Sequence, residues 1–130
     1  PLSFMIGDID FFKRINDNFS HATGDEVLRQ VAQILQTNTR QSDIPARYGG
    51  EEFVIAFPET SLSQAVALCE KLRKQIEAHP WQEIHAGLRV TMSMGVCADT
   101  SLGSFDKLLD AADKKLYKAK TNGRNRVCAE

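Results

Sequence analysis

Gly49-Gly50 stands between two strand-like runs, Ile44 to Tyr48 and Phe53 to Phe57, and that pattern reads as the tip of a β-hairpin. Adjacent glycines allow a tight turn, and with no Cβ they let backbone and neighbouring carboxylates approach a ligand closely. Glu51 and Glu52 follow at once. On spacing alone, acids at such a tip serve equally well as a solvated turn or as the edge of a site.

The rest of the chain supplies partners for this hairpin. Leu2, Phe4 and Ile6 alternate with Ser3, Met5 and Gly7, a strand that delivers Asp8 and Asp10 to the same side. Thr23-Gly24-Asp25-Glu26 has the form of a capping box, opening a helix with Val27, Leu28, Val31, Ile34 and Leu35 on one face. Ser61-Leu62-Ser63-Gln64 repeats the signal before a helix with Val66, Cys69, Leu72 and Ile76 inward, ended by Pro80. Val90, Met92, Met94 and Val96 mark a central strand. A last helix from about Ser104 is expected to bury Phe105, Leu108, Leu109, Ala112 and Leu116 and to stop at Asn122-Gly123, with a short strand over residues 126–128. The strands are spaced too irregularly for a doubly wound sheet. The order β-α-β-β-α-β, then α and β, predicts an α+β fold with a ferredoxin-like, palm-type core. An additional C-terminal helix and strand complete it, with the helices packed on a central antiparallel sheet.

At 130 residues the chain is one domain of ordinary size. Its net charge of −1 gives non-specific nucleic-acid binding no electrostatic drive. No apolar run approaches the ~20 residues that span a bilayer, and no signal peptide is visible. Cys69, Cys97 and Cys128 lie far apart and share no ligand spacing with His21, His79 or His85, so inert thiols in a reducing compartment are expected rather than a zinc site.

Two acidic strand ends, Asp8 and Glu51, can meet if the first strand lies beside the hairpin. Two carboxylates with a backbone carbonyl suit Mg²⁺, which keeps waters and lets phosphates complete its octahedron. Solvated strand ends explain the same acids equally well. Asp25 likewise reads either as a ligand contact or as an acid favoured by the dipole of a helix start. Lys114, Lys115 and Lys118 read as a solvated helix face. Arg40-Gln41-Ser42-Asp43 is by itself a pattern that a local ion pair explains.

Taken together these segments resemble one family. Gly-Gly-Glu-Glu-Phe at 49–53 is similar to the motif that names the GGDEF domains, in its Glu variant. The likeness extends in order through Asp8-Ile9-Asp10-Phe11-Phe12-Lys13-Arg14-Ile15-Asn16-Asp17, Gly24-Asp25, Ala46-Arg47-Tyr48 and 90–96, then Ala112-Asp113, 116–120 and Gly123-Arg124-Asn125. The whole of 1–130 is read as one such domain, without the helical segment that usually precedes the first strand. Ser20-His21 stands where many members have Gly-His, with little effect expected.

The resemblance implies a diguanylate cyclase, which condenses two GTP into cyclic di-GMP and pyrophosphate at the interface of a homodimer. Mg²⁺ or Mn²⁺ would be held by Asp8, the Ile9 carbonyl and Glu51, with Glu52 as a second-metal contact or general base. It further implies guanine recognition by Asn16 and Asp25. The backbone amides of Phe11, Phe12 and Lys13 would cradle phosphates, with both phenyl rings in the core, and Lys120 and Arg124 would contact the β- and γ-phosphates. Arg40 and Asp43, with Lys71 near a second arginine position, resemble a product-binding inhibitory site. The implied setting is cytoplasmic, or the cytoplasmic part of a membrane-anchored protein, with a sensory domain N-terminal and no nucleic-acid or membrane contact by this domain. The rival reading is an inactive family member that binds GTP or cyclic di-GMP and signals without turnover.

Overall fold

The computed structural model describes residues 2–98 and 104–129. Its elements are β1 (Leu2–Ile9), α1 (Phe12–Asn18), α2 (His21–Asn38), β2 (Ile44–Arg47), β3 (Glu52–Pro58), α3 (Leu62–Ala78), β4 (Met92–Ala98), α4 (Phe105–Thr121) and β5 (Val127–Cys128), with a 3₁₀ turn at Trp81–Glu83. The sheet runs β2-β3-β1-β4-β5. The first four strands are antiparallel neighbours in the ferredoxin-like order. The fifth, the additional C-terminal strand, pairs parallel to β4, so the sheet as a whole is mixed. A helix, α4, connects those two strands, and a crossover of that length returns the chain in the same direction.

Each face of the sheet has its own apolar layer. Met5, Ile9, Phe53, Ile55, Phe57, Met94 and Val96 pack with residues of α1, α2 and α3. On the other face Phe4, Ile6 and Cys97 meet Leu108, Ala112 and Leu116 of α4. Gly95 sets how close α4 comes: a Cβ there would lie 2.2 Å from both the Ala112 carbonyl oxygen and the Leu116 amide nitrogen. Burial pushes the Cys69 thiol pKa up, and both Cys69 and Cys97 are buried whereas Cys128 is half-buried.

The predicted capping box at Ser61 forms in both directions: Gln64 N–H donates to Ser61 Oγ, and Ser61 N–H to Gln64 Oε1. The other predicted box does not. Helix α2 starts one turn earlier, where Ser20 Oγ accepts the Thr23 N–H at 3.0 Å. Glu26 pairs instead with Arg29 and Gln30, which hold its carboxyl down at about 2. Helix α1 has only seven residues, with Phe12 and Ile15 inward, too short to mark itself by periodicity. Phe105 is not buried as expected. It opens α4, lies 57% exposed and touches the Phe4 ring edge-on at 5.4 Å.

Candidate active site

The first strand lies beside the hairpin strand β3 in the sheet. Asp8, near the end of β1, lies opposite Glu52 on β3, and cross-strand partners project from the same face. Ile9 N–H donates to the Glu51 carbonyl at 3.2 Å, tying the hairpin tip to the strand that carries Asp8. Tyr48 and Gly49 N–H groups close the turn on the Glu52 carbonyl at 2.8 and 3.3 Å. Arg47, to which the sequence reading gave no role, braces the glycines: its guanidinium donates to the carbonyls of Gly49 and Gly50 at 2.6–3.1 Å. An arginine as the last strand residue before a Gly-Gly turn is the signal that could have found it.

The electrostatics are those of crowded carboxylates. Burial raises the pKa of Asp8, against the opposing pull of Lys120. Glu51 and Glu52 are raised too, first by burial and then by the Asp8 charge, with Glu52 adding to Glu51 and Asp113 adding to Glu52. Such a cluster gains from a cation. Asp8 is 7% exposed. One of its oxygens, Oδ2, accepts from the Lys120 ammonium, while Oδ1 is buried with no hydrogen-bond partner. A buried carboxylate oxygen left unpaired is costly, so this donor set fits a hard divalent ion. Among the described residues no three His, Cys, Asp or Glu side chains close on a common point to hold an ion by themselves. Mg²⁺ takes one or two carboxylates and completes its shell with substrate phosphates and water.

Asp10 is a different case. Its carboxylate accepts from Thr91 Oγ1 at 2.8 Å, Ser93 Oγ at 2.6 Å and the Asn125 N–H at 3.0 Å. The two aspartates of Asp8-Ile9-Asp10 are thus separated by the fold, one with an open oxygen and the other hydrogen-bonded through both oxygens.

Around this centre the other predicted residues take defined places. Asn16 of α1 is half-buried against α2, and a Cβ on Gly24 would fall 1.8 Å from its Oδ1. Only glycine admits that approach, and it sets the Asn16 amide beside the residue preceding the exposed Asp25. Phe12 is buried, but Phe11 is not in the core as expected. Its φ of 54° turns the ring outward, 46% exposed, with the Arg14 and Arg124 guanidinium carbons over it at 4.3 and 4.6 Å. Cation–π attraction accounts for an aromatic ring kept there. The amides of Phe12 and Lys13 open α1, where N–H groups lack intrahelical acceptors.

Lys120 comes from the last turn of α4 and is engaged by Asp8. Arg124 follows a Schellman closure of that helix, with Gly123 at φ 125° and the Arg124 N–H donating to the Ala119 carbonyl at 2.9 Å. Between the hairpin and α4 a cleft of about 420 Å³ is lined by Tyr48, Glu52, Asp106, Asp110 and Asp113.

Arg40 and Asp43 hold each other. The Asp43 carboxylate is fully buried and accepts from the Arg40 backbone N–H, Nε and Nη2 at 2.8–3.2 Å. Arg40 Nη2 also donates to Thr60 Oγ1 at 2.5 Å. Lys71 stands exposed on α3.

With this geometry in place, comparison with known proteins is direct. Residues 1–126 match the family described as "Diguanylate cyclase, GGDEF domain". The response regulator PleD of Caulobacter vibrioides is 46% identical over 130 residues, covering 98% of this chain and 29% of that protein. Diguanylate cyclase A of Treponema denticola is 46% identical over 127 residues, covering 97% and 34%. Among solved structures, the active GGEEF domain of a Vibrio cholerae diguanylate cyclase superposes with a TM-score of 0.91 at 36% identity, covering 98% of this chain and 81% of that one. The GGDEF domain of DgcB from Caulobacter crescentus, in complex with cyclic di-GMP, gives 0.91 at 33%, covering 98% and 77%. The chain spans about a third of the length of the curated relatives it matches, and it belongs to the GGDEF family of diguanylate cyclase domains.

Proposed function

We propose that this domain is a diguanylate cyclase that joins two GTP molecules into cyclic di-GMP and releases two pyrophosphates. The observation that most supports this reading is Asp8 set opposite Glu52 at the hairpin, with one Asp8 oxygen buried and unpartnered.

Asp8, Glu51 and the Ile9 carbonyl would hold Mg²⁺ or Mn²⁺. When bound, such an ion polarises the α-phosphate and neutralises charge that develops on the departing pyrophosphate. The chain's own residues position the rest. Asn16 and Asp25 bind the guanine edge, with the carboxylate accepting from N1 and N2. The opening amides of α1, Lys120 and Arg124 take the phosphates, so the Lys120 ammonium exchanges Asp8 for a phosphate oxygen. Glu52, beside Asp8 and carrying a raised pKa, is placed to contact a second ion or accept the proton of the attacking 3′-hydroxyl. That oxygen attacks the α-phosphorus of the opposite GTP, the bond to the β-phosphate bridging oxygen breaks, and pyrophosphate leaves. The roles then exchange. No side-chain nucleophile takes part, and catalysis rests on orientation and electrostatics. A GTP substrate supports a cytoplasmic setting for this activity.

Each domain carries one substrate, so two copies must meet antiparallel for turnover. The rate per molecule of isolated domain should therefore climb with protein concentration, as mass action requires. Product is expected to bind through Arg40, Asp43 and Lys71, with Arg40 giving up part of its hold on Asp43 to fork onto guanine. Progress curves should then bend before GTP is exhausted. Rates strictly proportional to protein over about two decades would count against paired half-sites, and straight curves to exhaustion against the inhibitory site.

Guanine selection gives a separate test. Asp25 is exposed, so Asp25→Ala should leave folding intact. It should weaken GTP binding by about 1–3 kcal/mol, because the guanine donors lose their acceptor, and narrow the preference over ATP. Unchanged selectivity in calorimetric titrations would reduce Asp25 to a helix-start acid.

A further inference from the structure

The turn that presents Arg124 is built from backbone conformations that side chains rarely adopt. Gly123 at φ 125° is followed by Arg124 at 64° and Asn125 at 47°. Left-handed residues other than glycine persist only where their surroundings over-determine them, and such strain gathers at functional sites. Here the surroundings are specific. The Asn125 N–H donates to Asp10 Oδ2 at 3.0 Å and to Ser93 Oγ at 3.2 Å. Its side chain is clamped from α3, with Arg73 Nη1 donating to Oδ1 at 2.8 Å and Nδ2 donating to Glu77 Oε2 at 2.9 Å. Arg73 is itself fixed by Glu70 and Glu77 and is only 12% exposed. At the other end of the arginine, the guanidinium lies over the Phe11 ring at 4.6 Å, on a residue that is also left-handed.

Both ends of Arg124 are therefore set in advance. Asp10 reaches the turn from β1, two residues beyond Asp8, so one strand end serves the acidic centre and the phosphate arm together. Both Asp10 oxygens are already engaged, Oδ1 by Ser93 and Oδ2 by Thr91 and Asn125.

We propose that Asp10 and Asn125 form a latch that holds Arg124 ready to grip the terminal phosphates of a nucleoside triphosphate, with Arg73 bracing the latch from α3. This rests on the reading of GTP as substrate. Asp10, Asn125 and Arg73 are positioning residues: none needs to touch the nucleotide. The latch explains why a buried aspartate beside the acidic centre is spent on hydroxyls and a backbone amide. It explains equally why two strained residues are retained at the end of α4.

The test is calorimetric titration of GTP and of GMP, each with Mg²⁺, into wild-type protein and into Asp10→Asn and Asn125→Gly. Wild-type protein should bind GTP more tightly than GMP. Asp10→Asn should lose GTP affinity by about tenfold, the order of one misplaced charge-assisted hydrogen bond, while GMP affinity holds because guanine is read on α1 and α2. Asn125→Gly keeps the N–H and suits a φ of 47°, so it folds even if Asp10→Asn does not. Having lost the Arg73 and Glu77 ties, it should show a smaller loss, about threefold, again confined to GTP. Variants that weaken GTP and GMP alike, or that keep the full preference for GTP, would overturn the latch. A wild-type protein without that preference would overturn the triphosphate reading and the latch with it.

Discussion

Glu51→Gln is expected to abolish cyclic di-GMP synthesis, lowering turnover by at least about 10²–10³-fold, the range set by removing one electrostatic stabiliser from a preorganised site. The fold should survive. What ties Glu51 to β1 is its backbone carbonyl, which accepts from Ile9 N–H at 3.2 Å and is untouched by the substitution. Its side-chain charge works against folding, since burial and the neighbouring Asp8 charge both raise its pKa. A neutral isostere removes that repulsion and removes with it a ligand suited to a hard cation. Turnover should therefore collapse while the melting temperature holds or rises slightly. A folded Glu51→Gln protein with near-normal synthesis would sink the metal assignment.

The largest effect on stability is expected at Gly95. A methyl group there would sit 2.2 Å from the Ala112 carbonyl oxygen and the Leu116 amide nitrogen, and 2.8 Å from the Lys115 carbonyl carbon. All three are backbone atoms of α4, so no side-chain rotation relieves the clash. Carbon contacts are comfortable only at about 3.5–4.0 Å, so α4 must lift from the sheet by more than 1 Å, on the order of the shortfall from that distance. Over-packing of this kind costs about 3 kcal/mol or more, or about 10 °C or more in melting temperature. Activity should fall as well, because α4 carries Lys120 and leads to Arg124. The check is a thermal melt of Gly95→Ala. A shift of under about 2 °C would mean that helix and sheet do not pack as described.

These two positions also mark what the sequence discloses and what it withholds. The hairpin was legible because adjacent glycines and alternating flanks are local signals, and so was the α3 box, in which Ser61 and Gln64 are three residues apart. Gly95 gave no such sign; its requirement is imposed by a helix that arrives only afterwards in the chain. Spacing and residue type alone do not tell Asp8 from Asp10. Their different fates come from Lys120 and Asn125, more than a hundred positions away. Short elements were similarly hidden: α1 has too few inward residues to set a period, and the cap of α2 falls on Ser20 rather than on the expected Thr23. Phe11 was expected in the core, but its left-handed backbone and two guanidiniums keep the ring outside. Arg40-x-x-Asp43 carries both of its readings into the structure, being at once a satisfied ion pair and an arginine with an exposed flank.

The most direct measurement is the product balance of the domain incubated with GTP and Mg²⁺, followed by chromatography and mass spectrometry at a protein concentration high enough for two domains to pair. Paired half-sites built on Asp8, Glu51 and Glu52 predict cyclic di-GMP as the nucleotide product, with two GTP consumed and two pyrophosphates released for each molecule formed. Recovery of GTP unchanged, or its conversion to GDP and phosphate without cyclic di-GMP, would contradict that account.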